Sequence, residues 1–281
     1  MEVRALQEIS FRVEDGAFVG IMGHTGCGKS TLIQLIAGLL SPGEGRILID
    51  GVDINGSGYD REDLRRRLGI VFQYPESQLF EATVEKDVAF ALKHSGLSRE
   101  EKAERVRWAL GAVGFGAGEA GGNARISRMP EIARKSPLSL SGGEKRRVAI
   151  AGVLAARPRI LLFDEPLAGL DPLGRQDFLE LAARLHRQGT TILMVSHDAD
   201  ALCGYADRIL VLDRGRLVAD GAPEQIFGDL NRTEELHIGT GEVRRIAQAL
   251  HKKGMLPDPD ITKYEILIDE IKKMVKAGGG T

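Results

Sequence analysis

Only two cysteines, Cys27 and Cys203, occur in 281 residues, and neither has ligand-type neighbours at metal-binding spacing. That excludes a disulfide framework and a zinc module, and it fits a reducing cytoplasm. No apolar run approaches the roughly 18 residues that a membrane-spanning helix needs, so any membrane role has to pass through a partner. Met1-Glu2-Val3-Arg4 lacks the apolar stretch of a signal peptide, and none is expected. Lys and Arg number 38 against 40 Asp and Glu, a formal net charge of -2, so the basic surplus of a phosphate-tracking nucleic-acid binder is missing. There is no internal repeat, and the 35 glycines follow no period. What remains is 43% hydrophobic and 28% charged, an ordinary composition for a well-buried core with one or two appended subdomains.

Phe18-Val19-Gly20-Ile21-Met22 reads as a short buried strand ending in a glycine-rich loop, after which Leu32, Ile33, Leu35, Ile36 and Leu39 recur with helical period. Ile47-Leu48-Ile49, closed by Asp50-Gly51, and Ile70-Val71-Phe72 are further strands. Ser98 and Glu101 have capping-box spacing, with Ala103, Val106, Leu110 and Val113 on one face of the helix that follows. The Gly- and Arg-rich stretch 114–137 reads as a mobile loop. Strands return at Ile160-Leu161-Leu162-Phe163 and Thr191 to Val195, separated by a helix through Phe178 to Leu185. Asp213-Arg214-Gly215 joins Ile209–Leu212 to Leu217-Val218 as a hairpin. Apolar strands alternating with helices imply an α/β fold whose sheet is covered on both faces. Beyond Asn231, two short amphipathic helices around Pro257 and Pro259 account for the tail.

Gly23-His24-Thr25-Gly26-Cys27-Gly28-Lys29-Ser30, followed by Thr31, satisfies G-x-x-x-x-G-K-[ST] between a strand and a helix, where the mechanism needs it. The loop amides and helix dipole would surround phosphate oxygens. Lys29 would reach the β/γ-phosphates and Ser30 would offer its hydroxyl to Mg2+. Asp164 and Glu165 end a buried strand, an expensive place for two acids without a cation. Asp164 is expected to serve Mg2+, and Glu165 to polarise an attacking water. Gln73 and His197 also end strands and are expected at the same carboxyl edge, as a γ-phosphate and Mg2+ sensor and as a residue fixing the water. In Leu140-Ser141-Gly142-Gly143-Glu144, Ser141 and Glu144 predict a helix start, with the helix running through Arg146 to Ala156. Two glycines in its first turn cost about 1 kcal/mol each relative to Ala. That cost is explained if an anion must approach the backbone closely.

Taken in order, the phosphate loop, Gln73, Leu140 to Glu144, Leu161-Leu162-Phe163-Asp164-Glu165, Ala168-Gly169-Leu170-Asp171 and His197 resemble an ABC ATPase over roughly residues 5–230. The resemblance implies a P-loop NTPase core with a mixed, mainly parallel sheet and an inserted helical subdomain. It implies two cassettes packed head to tail, in which Ser141, Gly142 and Gly143 close over the nucleotide held by the other's phosphate loop and Asp171 links the two sites. The segments on this reading are core at 1–73 and 158–230, helical subdomain at 74–157, and a C-terminal helical dimerisation region at 231–281.

Phe72-Gln73-Tyr74-Pro75-Glu76-Ser77-Gln78-Leu79-Phe80 and Leu140 to Gly152 are similar, more narrowly, to the ATPases of energy-coupling factor importers for vitamins and metal ions. That likeness implies ATP and Mg2+ as cofactors. Its implied partners are a second ATPase, either a paralogue or an identical copy, a transmembrane coupling protein and a substrate-binding membrane component. The chain would sit on the cytoplasmic face of a prokaryotic membrane. Other readings are a conventional importer or exporter ATPase and a soluble non-transport ABC protein. One cassette, no basic surplus, and about 110 residues without sustained heptads between phosphate loop and Ser141 argue against the last. One departure from the family stands out. Only 22 residues precede Gly23, none of them Tyr, and Phe11, in the expected second strand, is a poor substitute for an adenine-stacking residue. An abbreviated or unusual start is the expectation.

Overall fold

Strand β1 (Phe18–Met22) is buried at every residue. Its glycine is a packing requirement, because a Cβ at Gly20 would lie 2.7 Å from Ile209 Cδ1 and 3.0 Å from Leu202. The computed structural model describes residues 4–115, 129, 131–228, 233, 235–236 and 238–278. After β1 come α1 (Lys29–Ile36), β2 (Leu48–Ile49), β3 (Val52–Asp53), α2 (Arg61–Arg67), β4 (Leu68–Val71), α3 (Val84–Ala89), α4 (Arg99–Leu110), α5 (Gly142–Ala155) and β5 (Ile160–Asp164). Then follow α6 (Pro172–Arg187), β6 (Thr191–Val195), α7 (Ala199–Tyr205), β7 (Arg208–Asp213), β8 (Arg216–Gly221), α8 (Pro223–Phe227), α9 (Glu242–Lys252) and α10 (Tyr264–Gly278). The chain divides into two units, one of Met1–Leu32 with Leu193–Thr281 and the other of Ile33–Ile192.

In the first unit β1 pairs in parallel with β7, from Val19 opposite Arg208 to Met22 opposite Val211. The chain then turns through Arg214-Gly215 into antiparallel β8, with an irregularity between Val211 and Leu212. Ile209 to Leu212 are wholly buried, as expected of a strand covered on both faces. The tail folds as α9 and α10 around a core of Val243, Ala247, Leu256, Ile261 and Leu267. Asp200 holds the start of α9, accepting from the Glu242 amide at 2.7 Å and the Val243 amide at 3.2 Å. This supplies two of the amide acceptors that a helix start otherwise lacks. The strand expected around Phe11 does not form, since none of residues 4–17 is in a strand. Apolar residues such as Phe11 and Val13 do not suffice for a strand, because a ladder needs a partner in register. This segment is instead tied by isolated bonds, among them Gln7 N–H to Gly215 O at 2.7 Å and Arg208 to Arg12 O at 2.7 Å.

In the second unit β4 pairs in parallel with β5, Val71 opposite Phe163. The parallel pairs β1–β7 and β4–β5 with antiparallel β7–β8, alternating with helices, make the mixed, mainly parallel α/β arrangement that the sequence implies. β2 and β3 form a small hairpin over Asp50-Gly51, whose φ values of 51° and 79° suit a two-residue turn. Helices α3, α4 and α5 pack through Val84, Val88, Val106, Leu110, Val148, Ala151 and Leu154, each at most 1% exposed. Ser98 caps α4 with both bonds of a capping box, as its spacing predicts. Of the stretch 114–137, residues 116–128 and 130 lie outside the described residues. Glu131–Arg134 forms a 3-10 turn with Ile132 and Ala133 buried, and Lys135 O accepts from Val84 N–H at 3.0 Å.

Candidate functional site

In the first unit, Gly23 leaves β1 at φ 144°, a conformation closed to other residues, and a Cβ there would strike Leu212 O. Gly26 and Gly28 follow at φ 82° and 108°. Their alternation with residues of negative φ is the backbone pattern of an anion nest, and nothing lies within 4 Å of where a Cβ at Gly26 would be. Lys29 Nζ lies across the loop, donating to Gly23 O at 2.8 Å and His24 O at 3.0 Å. His24 Nε2 faces Asp213 Oδ1 at 3.0 Å, its Nδ1 faces Thr25 O at 2.7 Å, and Gly215 N–H donates to Cys27 O at 3.0 Å. The β7–β8 turn thereby braces the phosphate loop. Cys27 is buried inside it and serves as a small filler. Ser30 and Thr31 open α1 after the loop. Ser196 N–H donates to Ile21 O at 3.2 Å, so the exit of β6 that leads to exposed His197 lies beside the end of β1 that feeds the loop.

In the second unit the β4–β5 register puts Gln73 and Glu165 each two residues beyond a paired position, at one carboxyl edge. Asp164 is 7% exposed, and Glu165 adopts a left-handed φ of 49°. Ser141 caps α5 in a full capping box. Its amide donates to Glu144 Oε2 at 2.9 Å, and its hydroxyl accepts from the Glu144 amide at 3.3 Å. The Ser141 backbone bond, joined by its side chain, holds the Glu144 carboxyl below its ordinary range. Gly142 and Gly143 are exposed, neither has positive φ, and an added Cβ at either would meet nothing within 4 Å. Nothing within this unit's packing calls for glycine at either position. Asp171 caps α6, accepting from Gly174 N–H at 2.7 Å.

Sequence reasoning missed Arg146, Glu76 and Asp87. Arg146 on α5 is buried and donates to Ala168 O at 2.8 Å and to Pro166 O. It thus joins the Ser141 helix to the segment after Glu165. Asp87 accepts from the Phe80 and Glu81 amides at 3.0 and 2.8 Å and anchors the far end of the segment after Gln73. A charged residue at an inward helical position is the only sequence signal for Arg146 and Asp87. The second cysteine, Cys203, has its thiol pushed up to about 12 by burial and is chemically quiet at neutral pH.

The residues present fit a nucleotide with Mg2+. The loop forms an anion nest with a lysine across it, and an acid stands at a buried strand end. Among the described residues no three His, Cys, Asp or Glu side chains group to hold a metal. A Mg2+ that keeps waters and shares phosphate oxygens needs only one or two protein oxygens.

Strand, phosphate loop, helix and acid-ended strand together define a P-loop nucleotide-binding protein. A family model described as ABC transporter matches residues 6–168. The chain belongs to the ABC transporter ATPase family. It is 44% identical to the energy-coupling factor transporter ATP-binding protein EcfA2 of Caldanaerobacter subterraneus subsp. tengcongensis, over 97% of this chain and 91% of that protein. Among solved structures it is similar to cbiO1 of Clostridium perfringens, described as part of the ABC transporter complex cbiONQ. There the TM-score is 0.71 and the identity 35%, covering 89% of this chain and 90% of that one. The dimeric ATP-binding cassette MJ0796, in a post-hydrolysis state bound to ADP and Pi, matches with TM-score 0.64 and 30% identity over 78% of this chain and 90% of that one.

Proposed function

We propose that this chain is the ATP-binding and ATP-hydrolysing subunit of an energy-coupling factor importer, driving uptake of a vitamin or transition-metal ion through membrane partners. The observation that carries the reading is the likeness to an energy-coupling factor ATP-binding protein over 97% of the chain. No helix among the described residues is long and apolar enough to cross a membrane. On this reading the cargo path belongs to other chains, and this one works at the cytoplasmic face.

Gly23 to Thr31 hold the nucleotide phosphates, with Lys29 at the β/γ oxygens. Ser30, Gln73 and Asp164 would hold Mg2+, which would neutralise phosphate charge. Glu165 orients and deprotonates the water that attacks the γ-phosphorus as the bond to the β-bridging oxygen breaks, giving ADP and phosphate, and His197 fixes that water. Ser141, Gly142 and Gly143 cover the nucleotide of a second ATPase, and Asp171 links the two sites. Closure on ATP and reopening after hydrolysis supply the motion that the membrane partners use. The remaining partners are a transmembrane coupling protein and a substrate-binding membrane component, and the Tyr74-Pro75-Glu76 segment favours a paralogous second ATPase.

Mass spectrometry of the intact complex captured through this chain from gently solubilised membranes tests the reading. It should show two ATPase chains, one coupling protein and a small substrate-binding membrane protein. Paired conventional permeases in place of the last two would overturn it.

A further inference from the structure

Arg146 lies on α5 one turn beyond its cap and is 5% exposed. Its guanidinium grips two backbone carbonyls, those of Pro166 and Ala168. If packing alone mattered, an apolar side chain would fill this position without the desolvation a buried cation demands. Burial pulls its pKa down, and the Glu76 carboxylate acts in the opposite sense. Arginine stays charged regardless, so the cation has to be used.

The gripped carbonyls are the first and third after Glu165, whose φ of 49° is rare outside glycine. Such a conformation persists only where its surroundings over-determine it. Pro166 restricts the chain on one side, and Arg146 fixes the carbonyls beyond. Arg146 rides on the helix capped by Ser141, so the backbone behind Glu165 follows that helix. Glu76, three residues after Gln73, is the carboxylate whose charge acts on Arg146. Its Oε2 and the Arg146 Nε are both buried and both without a hydrogen-bond partner. The Glu76 carboxylate thus acts electrostatically on Arg146 while making no hydrogen bond to it.

We propose that Arg146 is a positioning residue that couples the Ser141 helix to the catalytic Glu165 of the same chain, and that Glu76 is the counter-charge through which the segment after Gln73 acts on that coupling. When α5 shifts over a partner's nucleotide, the carbonyls of Pro166 and Ala168 shift with it and Glu165 is set. When the segment carrying Glu76 moves, the charge facing Arg146 changes. Arginine suits this role better than lysine because its planar fork holds two carbonyls at once.

The inference rests on Glu165 acting in hydrolysis, so Glu165→Gln is the reference in its test. ATP turnover by the full chain in its purified transporter assembly is compared, with nucleotide affinity, for Arg146→Gln, Arg146→Lys, Glu76→Gln and the Arg146→Gln/Glu76→Gln double variant. Arg146→Gln should lower kcat about tenfold or more with KM within about threefold, and Arg146→Lys should recover part of it. Glu76→Gln should lower kcat less, and the double variant should be no worse than Arg146→Gln alone. A folded Arg146→Gln protein with wild-type kcat overturns the coupling, and multiplying effects in the double variant overturn the part given to Glu76. Should Arg146→Gln fail to fold, wild-type kcat in both Arg146→Lys and Glu76→Gln overturns it equally. Turnover surviving Glu165→Gln would instead remove the functional reading beneath it.

Discussion

Replacing Gly142 and Gly143 by alanine separates two reasons for a glycine, one inside the chain and one outside. Both residues stand in the first turn of α5 without positive φ, and the added methyl groups would meet nothing within 4 Å. In a helix interior Gly is worse than Ala by roughly 0.5–1 kcal/mol. First-turn residues are half-anchored, so about 0.5 kcal/mol each is the expected gain, about 1 kcal/mol for both. For a chain of this size that raises Tm by about 2–4 °C. The same methyl groups stand on the face where the proposed γ-phosphate of the partner must approach, so turnover of the assembled complex should fall at least tenfold. Scanning calorimetry of the free chain and steady-state ATP hydrolysis by the complex read the two effects separately. A lowered Tm would mean that the glycines serve this chain's own packing. A raised Tm with undiminished turnover would mean that nothing approaches them, and either result refutes the reasoning.

Gly69→Ala should cost about 1–3 kcal/mol, seen as a lower denaturant midpoint, because its Cβ would lie 2.6 Å from Val153 Cγ1 and 3.0 Å from Pro158 Cγ. The Glu144 carboxyl is held low chiefly by the Ser141 amide, so its contribution is full above the unfolded value and is lost as pH falls through the lower folded one. Its NMR titration midpoint should lie below that of the unfolded chain and move upward in Ser141→Ala, and an unmoved midpoint would remove the capping box as the cause.

The phosphate loop and both capping boxes were legible in the sequence because each is a local pattern. Gly23 to Ser30 and the Ser-x-x-Glu spacings at Ser98 and Ser141 specify their own backbone within a few residues. The strand-end acids were legible too, because Ile160 to Asp164 is an apolar run with nowhere to go but a buried strand. Arg146 was not, since its acceptors are backbone carbonyls 20 and 22 residues away, and a carbonyl leaves no trace in a residue string. Asp213, which faces His24, was hidden for a similar reason, being brought to the loop by the β7–β8 turn from 189 residues further along. Around Phe11 the strand that the family resemblance led one to expect is absent, because pairing belongs to two segments and only one of them was read.

The most direct test of the central claim is ATP-driven uptake by the purified complex in sealed vesicles, with wild-type chain and with Glu165→Gln. The account predicts that the wild type couples hydrolysis to cargo accumulation, while Glu165→Gln binds ATP with comparable affinity and does neither. Hydrolysis and uptake at wild-type rates in Glu165→Gln would contradict it.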